Sequence, residues 1–529
     1  MDKWTGMRIG GGVLAVILIL VWYGFWLAQP VNMVTADLGR HIQNGHLLLA
    51  DWSTNAGVLD TNFYSYTHVD FPVVNHHWGS GVLAALLEQA GGITAVQVGY
   101  IVISLLSLLI VFDLARRWSN LLIATLTALA LVPLLAQRTE VRPEAFSYLF
   151  IACFIWILWR VTRGDLSWRW LWALPVLQLL WVNTHVYFVF GIFIIGLYLL
   201  EQLVYRWPNW REVWRDVVIR RLAAATGLVV LASLMTPFGI RGLLYPFQIF
   251  RNYGYQLIEN QSIFFLEEWG FDNPNFLLVK ILTTVLLVGF AIAGASRRQQ
   301  RLPLAHIALT ATLVVMAWLA LRNFTPAGLV AIPMVAFFFS AAASFERRRF
   351  TENTPWYTAG VGAVLLIIIF FTQLPDVQER IPVRGFGLVP GVGSAAQFMR
   401  DNKIAGPIMN NYDIGGYLIY FLPPEQQVFV DNRPEAYPES FFTNVYIPMQ
   451  EDEAVWEQQL AEHNFNVIVF RYRDITPWAQ TFLAARVGDR EWVPVFADPQ
   501  VLIWVRDVPE NAAVIEAHSI DRRRLRIGG

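Results

Sequence analysis

Long apolar runs separated by short polar segments occupy residues 1–372 of the chain. The runs are close to the length of about 20 residues that an α-helix needs to cross a bilayer. We predict about eleven spanning helices, near 9–28, 93–112, 120–136, 145–159, 170–182, 186–204, 222–236, 276–294, 303–321, 325–343 and 357–372. The run at 170–182 is short, so this number holds to within one or two.

The pattern changes after residue 385, where the apolar runs shorten to strand length. GPIMNN, QQVFVD, NVIVFRY and VLIWVRD predict strands, and SAAQFMRDN and DEAVWEQQLAEHN predict helices between them. Such alternation favours an α/β domain with a largely parallel sheet. We therefore predict a transmembrane domain over 1–373 with outer loops near 30–92 and 237–275, a Pro- and Gly-rich linker at 374–390, and a soluble α/β domain over 391–529.

Arginines cluster in alternate connections between the predicted helices, which sets an orientation. The clusters are Arg116–Arg117, Arg160–Arg169, Arg206–Arg221, Arg297–Arg301 and Arg347–Arg349. The positive-inside rule places them, with Lys3 and Arg8, in the cytoplasm. The first apolar run shows no cleavage site and is predicted to stay as a transmembrane helix. The C-terminal domain then lies outside the cytoplasm.

Composition supports a multi-pass membrane protein. The chain is 56% hydrophobic and 15% charged, with a mean hydropathy of +0.44, which is too apolar for the surface of a soluble protein. The net charge of −1 gives no argument for nucleic acid as a partner. The single cysteine, Cys153, excludes a disulfide within the chain.

Ionisable residues from several separate loops fall on the predicted outer side of the membrane. They include Asp37, Arg40, His41, Asp60, His76, His77, Arg138, Glu140, Arg142, Glu144, His185, Arg241, Glu259 and Arg322. Charges at the membrane edge are costly, so their convergence on one side indicates a functional site. Carboxylates can act as a general base or hold a metal, and arginines bind phosphate through their planar fork. The set suits a substrate with a lipid tail and a phosphate head.

Structural roles are the alternative for single members of this set. Asp37 is placed to cap the helix that begins LGRHIQNG. His76 and His77 with Trp78 would fit an interfacial aromatic belt. Arg322 would fit a side chain that snorkels to the interface.

The first outer loop resembles that of bacterial membrane glycosyltransferases of the GT-C type. The resemblance lies in ADLGRHIQNGHLLL and in LDTNFYSYTHVDFPVVNHHWGSGVL, where Asp60, Phe63, Ser65, Tyr66, Thr67, Pro72, His77 and Trp78 match a phrase of that group. RPEAFSYLF, LLWVNTHVYFVFG and MTPFGIRGLLYPF are similar to its helix-end phrases, so the resemblance covers roughly the first 350 residues.

This resemblance implies a polyprenyl-phosphate-linked sugar donor, used at the outer face of the bacterial inner membrane. The acidic residue after the first helix, Asp37, takes the place of the catalytic carboxylate, and Asp60 is a second candidate. Asp37 precedes Leu38, unlike the Asp-Glu pair of protein mannosyltransferases. The same two aspartates would hold a divalent metal if one is used. The expected donor-phosphate and substrate residues are Arg40, His41, His77, Arg138, Glu140, Arg142, His185, Arg241 and Arg322.

A second resemblance lies in the C-terminal domain. The order of elements around NNYDIGG at 410–416, followed by Asp431 and Asn432, is similar to the region of the WWDYG motif in oligosaccharyltransferase catalytic subunits. The tryptophans of that motif are missing here. A structural role for Gly415 and Gly416, as a tight turn between strand and helix, is favoured instead.

Three functions are weighed. The first is transfer of a hexosyl or pentosyl group from the lipid donor to an acceptor hydroxyl on a glycan, lipid or protein, with inversion. The second is oligosaccharyltransferase or ligase-type transfer of a whole glycan. The third, a transporter or flippase, would place polar groups near the bilayer midplane in two related halves, and the polar groups here sit at the outer edge.

Overall fold

The structure is a computed structural model that describes residues 3–207, 213–249, 252–295, 302–349 and 354–525. Its first α-helices are α1 (Lys3–Leu27), α2 (Leu38–Ala50), α3 (Gly57–Asp60), α4 (Trp78–Trp118), α5 (Leu121–Leu135), α6 (Glu144–Arg163), α7 (Ala173–Val182), α8 (Val189–Arg206), α9 (Val217–Ala232), α10 (Gly239–Leu244) and α11 (Ile263–Glu268). They continue with α12 (Pro274–Ala295), α13 (Leu304–Leu319), α14 (Phe324–Arg349), α15 (Thr354–Arg380), α16 (Ser394–Asp401), α17 (Gly415–Phe421), α18 (Glu439–Phe441), α19 (Pro448–Glu451), α20 (Glu453–His463), α21 (Pro477–Gly488) and α22 (Ala512–His518). The strands are β1 (Ile408–Asn410), β2 (Val467–Arg471), β3 (Trp492–Ala497) and β4 (Val501–Arg506).

Every apolar run predicted from the sequence coincides with an α-helix, which confirms the helical class. Among the described residues, five helical segments are long and apolar enough to cross a membrane: Trp78–Trp118, Glu144–Arg163, Val186–Arg206, Pro274–Gly294 and Leu321–Ala342. Shorter apolar helices cover Gly12–Leu27, Leu121–Leu135 and Leu304–Leu319. The number of eleven spans stays a prediction.

The chain divides into two compact units that do not follow the predicted linear division. The first unit holds Met1–Gln29, Val98–Leu243 and Leu257–Phe386. In it, α14 packs against α5, α12, α13 and α15. Gly328 lets α14 approach α5 closely, since a Cβ there would lie 2.8 Å from the Cβ of Leu134.

The second unit holds Pro30–Gln97, Leu244–Gln256 and Gly387–Gly529. The predicted outer loop at 30–92 is thus part of the same compact unit as the predicted α/β domain. Backbone pairing explains this: Val31 bridges to Leu388, and Ser65 bridges to Val428. The loop therefore gains hydrogen-bonding partners far along the chain, which hydropathy does not reveal.

The sheet of the second unit is mixed, so the expectation of a largely parallel sheet is wrong. Its strand order is β1-β2-β4-β3, with β1 parallel to β2 and β4 antiparallel to both β2 and β3. Only a short connection separates β3 from β4, and such a connection permits only antiparallel pairing. β3 was not predicted.

The predicted strand QQVFVD is absent as a regular strand. The side chain of Asn410 takes the place of a backbone partner, because its Oδ1 accepts from the N–H of Phe429 at 3.0 Å and its Nδ2 donates to the carbonyl of Val430 at 2.7 Å. The predicted linker at 374–390 also differs from the structure. α15 continues to Arg380 through Pro375, since one proline removes only one helical hydrogen bond.

Two glycines allow α2 and α4 to cross at close range in the second unit. A Cβ on Gly45 would lie 2.2 Å from the backbone oxygen of Gly81, and a Cβ on Gly81 would lie 2.6 Å from that of His41. His41 and His77 each precede one of these glycines by one helical turn. Their rings consequently meet, with centroids 5.1 Å apart.

We expect Gly45→Ala to lower the free energy of unfolding by about 1–3 kcal/mol, because its methyl group meets a backbone oxygen that cannot turn away. Gly196→Ala on α8 is the matched control, since nothing lies within 4 Å of a Cβ there. Thermal unfolding of the purified protein, followed by tryptophan fluorescence, measures both. Equal melting temperatures for the two variants would contradict the close crossing.

Candidate functional site

Asp37 lies at the first position before α2, yet it does not cap that helix. Its side chain accepts no capping hydrogen bond, so the capping interpretation is wrong. Its Oδ2 lies 3.7 Å from Nε2 of His41, one turn further on. The Asp37 side chain is 21% exposed and that of His41 is 3% exposed. A partly accessible carboxylate thus stands beside a buried imidazole.

Arg40 is buried on the same helix, within a group of opposite and like charges. Its Nε lies 3.5 Å from Oδ1 of Asn432. Burial and the charge of Arg433 lower the pKa of Arg40, although Asp431 and Asp37 act to raise it. The surroundings therefore disfavour the protonated form of Arg40. An anion bound beside Arg40 would stabilise that charged form.

The buried pair of Asp431 and Arg433 fixes this part of the second unit. Arg433 donates from Nε to Oδ1 of Asp431 at 2.9 Å and from Nη2 to Oδ2 at 2.5 Å. The same Nη2 donates to Oδ1 of Asn62 at 2.8 Å. A two-pronged pair of this kind holds both partners in one orientation, and it joins the first outer loop to the segment after Val430.

Gly415 and Gly416 allow α17 to pack tightly against this segment. A Cβ on Gly415 would lie 2.4 Å from the backbone oxygen of Val430. A Cβ on Gly416 would lie 3.2 Å from Nδ2 of Asn432 and 3.3 Å from the oxygen of Ala36. The favoured structural role of these glycines is thus close packing of α17, which holds Asn432 beside Arg40.

Histidines continue the site beyond His41. The ring of His77 lies 3.8 Å, centroid to centroid, from that of His76, and His76 lies 5.0 Å from the ring of Tyr245. His76 is 6% exposed. These imidazoles pack against each other inside the second unit, which differs from the belt arrangement considered from the sequence.

Asp60, the second candidate carboxylate, is exposed at the end of α3. Within the described parts of the chain, no group of three or more His, Cys, Asp or Glu side chains is arranged to hold a metal ion. Binding of a metal by Asp37 and Asp60 stays a prediction, and no chemical step is derived through it.

The first unit contains a network of three arginines and two glutamates, which we call the arginine–glutamate cluster. Nη2 of Arg138 lies 2.9 Å from Oε1 of Glu144 and 2.6 Å from Oε2 of Glu259. Arg142 lies 3.4 Å from Glu259, and Nη2 of Arg322 lies 3.6 Å from Oε1 of Glu144. Three arginines predicted as phosphate ligands are therefore neighbours in space.

Burial and charge act against each other within this cluster. Burial by itself would raise the pKa of the Glu259 carboxyl, but the guanidinium groups of Arg138, Arg142 and Arg322 lower that pKa to about 2. Burial likewise opposes the charge of Arg138, but Glu144 and Glu259 raise its pKa above the usual value. Glu259 and Arg138 are consequently both charged at neutral pH.

Arg322 is oriented by further contacts, and its snorkelling to the membrane interface stays a prediction. Its Nη1 donates to Oδ1 of Asn260 at 3.0 Å, and its guanidinium carbon lies 6.0 Å from the ring centre of Tyr187. The hydroxyl of Tyr187 donates to Oδ1 of Asn323 at 3.0 Å. These neutral groups hold the side chain where it meets the two glutamates.

The other predicted residues of the first unit take different positions. His185 is 1% exposed, and its Nδ1 lies 2.7 Å from Oγ of Ser147, whereas Glu140 is exposed in the loop before α6. Arg241 is exposed on α10. From the sequence, Glu144 and Glu259 were counted among the ionisable residues of the outer side but not among the expected donor-phosphate and substrate residues. The signal was available: carboxylates that follow arginines in outer loops are the expected partners of buried guanidinium groups.

Comparison with solved structures identifies the fold. The chain matches the archaeal oligosaccharyltransferase AglB from Archaeoglobus fulgidus, in complex with an inhibitory peptide and a dolichol-phosphate, with a TM-score of 0.57 and 12% identity over 96% of this chain and 75% of that one. It matches ArnT from Cupriavidus metallidurans with a TM-score of 0.51 and 14% identity over 97% and 99% of the two chains. Arabinofuranosyltransferase AftD from Mycobacteria gives a TM-score of 0.52 and 14% identity over 93% of this chain and 41% of that one.

No family model and no curated protein matches the sequence. These three structural neighbours are glycosyltransferases of the GT-C type. The resemblance noted in the first outer loop is therefore confirmed at the level of the fold.

The depressed pKa of Glu259 predicts a pH-dependent stability. A carboxyl whose pKa is lower in the folded than in the unfolded chain stabilises the fold above the unfolded value of about 4.5, and this stabilisation is lost as the pH falls towards 2. At pH 7 we expect Glu259→Gln to destabilise the protein by about 3–5 kcal/mol, because three arginines then share one carboxylate. Melting temperatures from pH 7 to pH 3 should converge for wild type and variant.

Glu268→Gln, an exposed carboxyl on α11, is the control and should melt like the wild type throughout. A wild type and a Glu259→Gln variant that differ by the same amount at every pH would rule out the electrostatic role of Glu259.

Proposed function

We propose that the chain is an integral membrane glycosyltransferase that moves a sugar from a polyprenyl-phosphate-linked donor to an acceptor hydroxyl at the extracytoplasmic face, with inversion. The observation that carries this proposal is the arginine–glutamate cluster, in which Arg138 and Arg142 from one loop meet Arg322 and Glu259 from two other parts of the chain. The GT-C fold of the helical unit supports it by analogy.

The charge of the cluster suits a phosphodiester. Three guanidinium groups face the carboxylates of Glu144 and Glu259, which leaves one positive charge in excess. A sugar linked to a polyprenyl phosphate carries one negative charge. Nε of Arg138 and Nε of Arg322 are buried, and neither has a hydrogen-bond partner among the described residues. These N–H groups are donors available to a phosphate oxygen.

The leaving phosphate gains negative charge as the bond from the anomeric carbon to the phosphate oxygen breaks. Arginines already fixed by Glu144, Glu259 and Asn260 stabilise this charge without reorganising, which is the main requirement for electrostatic catalysis. Arg138 and Arg322 are assigned to this step.

We assign the role of general base to Asp37. Its carboxylate takes the proton of the acceptor hydroxyl while the acceptor oxygen attacks the anomeric carbon and the lipid phosphate departs. Attack from the side opposite the leaving group inverts the anomeric centre. His41, at 3.7 Å, limits the orientations open to the carboxylate. The competing assignment of the general base is Asp60, with or without a bound metal ion.

Oligosaccharyltransferase-type transfer is the second candidate, because AglB shares the fold over 96% of this chain. The segment in place of the WWDYG motif serves other contacts here: Asp413 pairs with Arg471, and Tyr412 stacks on Tyr255 with ring centroids 4.3 Å apart. We therefore favour an acceptor other than a peptide sequon. The proposed location is the bacterial inner membrane, with the N-terminus in the cytoplasm and the C-terminal region outside it.

Loss of the base should lower turnover while donor binding persists. We expect Asp37→Asn to reduce sugar transfer from a radiolabelled polyprenyl-phosphate sugar by about 10²- to 10⁴-fold, with and without a divalent metal. Binding of the lipid donor to the same purified protein should change little. Asp60→Asn, an exposed carboxyl, is the matched control and should retain most of the activity.

Equal turnover in wild type and Asp37→Asn would move the base to Asp60 or elsewhere. No turnover with any donor of a panel, together with lipid transport into vesicles, would instead support the transporter.

Replacement of a guanidinium by an ammonium tests the phosphate site. We expect Arg322→Lys to weaken donor binding by about tenfold or more, because lysine cannot reproduce the fork that meets Glu144, Asn260 and the phosphate together. Arg241→Lys, at an exposed position on α10, should bind the donor like the wild type. Titration of a fluorescent polyprenyl phosphate measures both, and a larger loss for Arg241→Lys would refute the assignment.

A further inference from the structure

A polar cavity lies in the first unit, lined by residues other than those of the arginine–glutamate cluster. Its volume is about 160 Å³, and its lining includes Arg163, Tyr198, Glu201, Gln202, Tyr205 and His306. Glu201 follows Tyr187, a neighbour of Arg322, by 14 residues on the helical segment Val186–Arg206. At 1.5 Å per residue this is about 20 Å along the helix. The glycosyl transfer proposed above does not use this cavity.

The buried end of the lining is rich in hydrogen-bond acceptors. Glu201 is 9% exposed, and its carboxylate accepts from the backbone N–H groups of Leu304 and Ala305, at the start of α13. A carboxylate has about four acceptor positions. The side chain of Gln202 takes a third position, which leaves about one for a donor in the cavity.

His306 adds a second acceptor. It is 1% exposed, and its Nε2 lies 3.0 Å from the carbonyl oxygen of Val330. Because a carbonyl only accepts, Nε2 carries the proton, and in the neutral ring Nδ1 is then an acceptor. Nδ1 is buried and has no partner among the described residues. Such a group costs free energy unless something else in the cavity donates to it.

Arg163 lines the same cavity from the last turn of α6 and is exposed. The lining therefore has a cation at its accessible edge, and a carboxylate and an imidazole acceptor at its buried end. This polarity matches a ligand that has an ammonium group at its tip and a phosphate behind it. A quaternary ammonium would not fit equally well, because it has no N–H to donate.

We propose that this cavity binds an aminoalkyl phosphate, with the ammonium group at Glu201 and Nδ1 of His306 and the phosphate at Arg163. The volume corresponds to about five water molecules of liquid, which accommodates a two-carbon ammonium group. The headgroup of phosphatidylethanolamine has this chemistry, and so does free phosphoethanolamine. Bound there, the ligand joins α8 to the start of α13 and lies at the end of α8 opposite the donor site.

A series of lipids on the wild-type protein tests the proposal without any risk to folding. The purified full chain is placed in nanodiscs of phosphatidylglycerol mixed with phosphatidylethanolamine, its N,N-dimethyl derivative or phosphatidylcholine, and retained lipid is counted by native mass spectrometry. We expect retention to fall about tenfold or more from the primary amine to the quaternary ammonium. Equal retention of the three lipids overturns the proposal and leaves a cavity filled by water.

Two substitutions locate the lipid. Arg163→Gln and Glu201→Gln should each abolish the preference for phosphatidylethanolamine, and Arg163→Gln is the safer variant for folding because its side chain is exposed. Arg169→Gln, also exposed and close in sequence, is the matched control and should keep the preference. A preference that survives Arg163→Gln and Glu201→Gln overturns the site.

Soluble phosphoethanolamine distinguishes the two sources. Displacement of phosphatidylethanolamine by the free compound at millimolar concentration would support the same headgroup chemistry with a soluble ligand. Failure to displace, with the lipid preference intact, would support a membrane lipid. Neither result depends on transferase activity, so the outcome is independent of the function proposed above.

Discussion

The three arginines and two glutamates of the arginine–glutamate cluster must lie close enough to offset one another's charge. This requirement fixes the relative positions of the helix ends that carry them in the first unit. Arg138 follows α5, Glu144 is the first residue of α6, Glu259 lies in the 3₁₀ turn Ile258–Asn260, and Arg322 precedes α14. Removing either glutamate leaves three arginines facing a single carboxylate in a region of low dielectric, which costs several kcal/mol. Electrostatic attraction therefore holds the ends of these helices together. The apolar packing of α14 against α5 joins two of the same helices.

The second unit depends on close backbone approach in addition to charge. Gly45 and Gly81 bring α2 to α4, and Gly415 and Gly416 bring α17 to the segment that holds Asn432. Both contacts lie at α2, where Asp37, Arg40 and His41 follow one another within one turn. A larger side chain at these glycines would displace α2, and with it the orientation of the three polar groups.

Much of the fold is visible in the sequence, because apolar run length is a local property. Hydropathy marks α1, α5, α12 and α14 without reference to the rest of the chain. Pairing is not local: the bridge from Ser65 to Val428 and the ion pair of Arg138 with Glu259 join residues more than a hundred positions apart. The antiparallel pairing of β3 with β4 was missed for a local reason. Pro494 interrupts the strand pattern of β3, which lies at the edge of the sheet.

The site was predicted in part for the same physical reasons. Arginines at the membrane edge are unusual enough to be noticed one by one, so Arg138, Arg142 and Arg322 were identified. The side-chain orientation of Asp37 was not predictable. A residue directly before a helix can turn its side chain back to cap the helix or away from it, and the sequence is the same in both cases. Arg241 was included because it lies in a predicted outer loop, within a phrase similar to that of the GT-C group, and only the fold shows it to be exposed.

The net charge of the cluster links its structure to the proposed direction of catalysis. A donor phosphodiester carries one negative charge, which matches the excess of three arginines over two glutamates. A departing phosphate monoester carries about −1.5 to −2 at neutral pH, so its attraction to the arginines grows as the sugar leaves. Interactions that strengthen on the way to the transition state accelerate the reaction, whereas those equally strong in the ground state do not. In the proposed reaction Glu144 and Glu259 would serve a second purpose: by partly neutralising the arginines, they would prevent the cluster from binding the ground-state donor so tightly that this difference is lost.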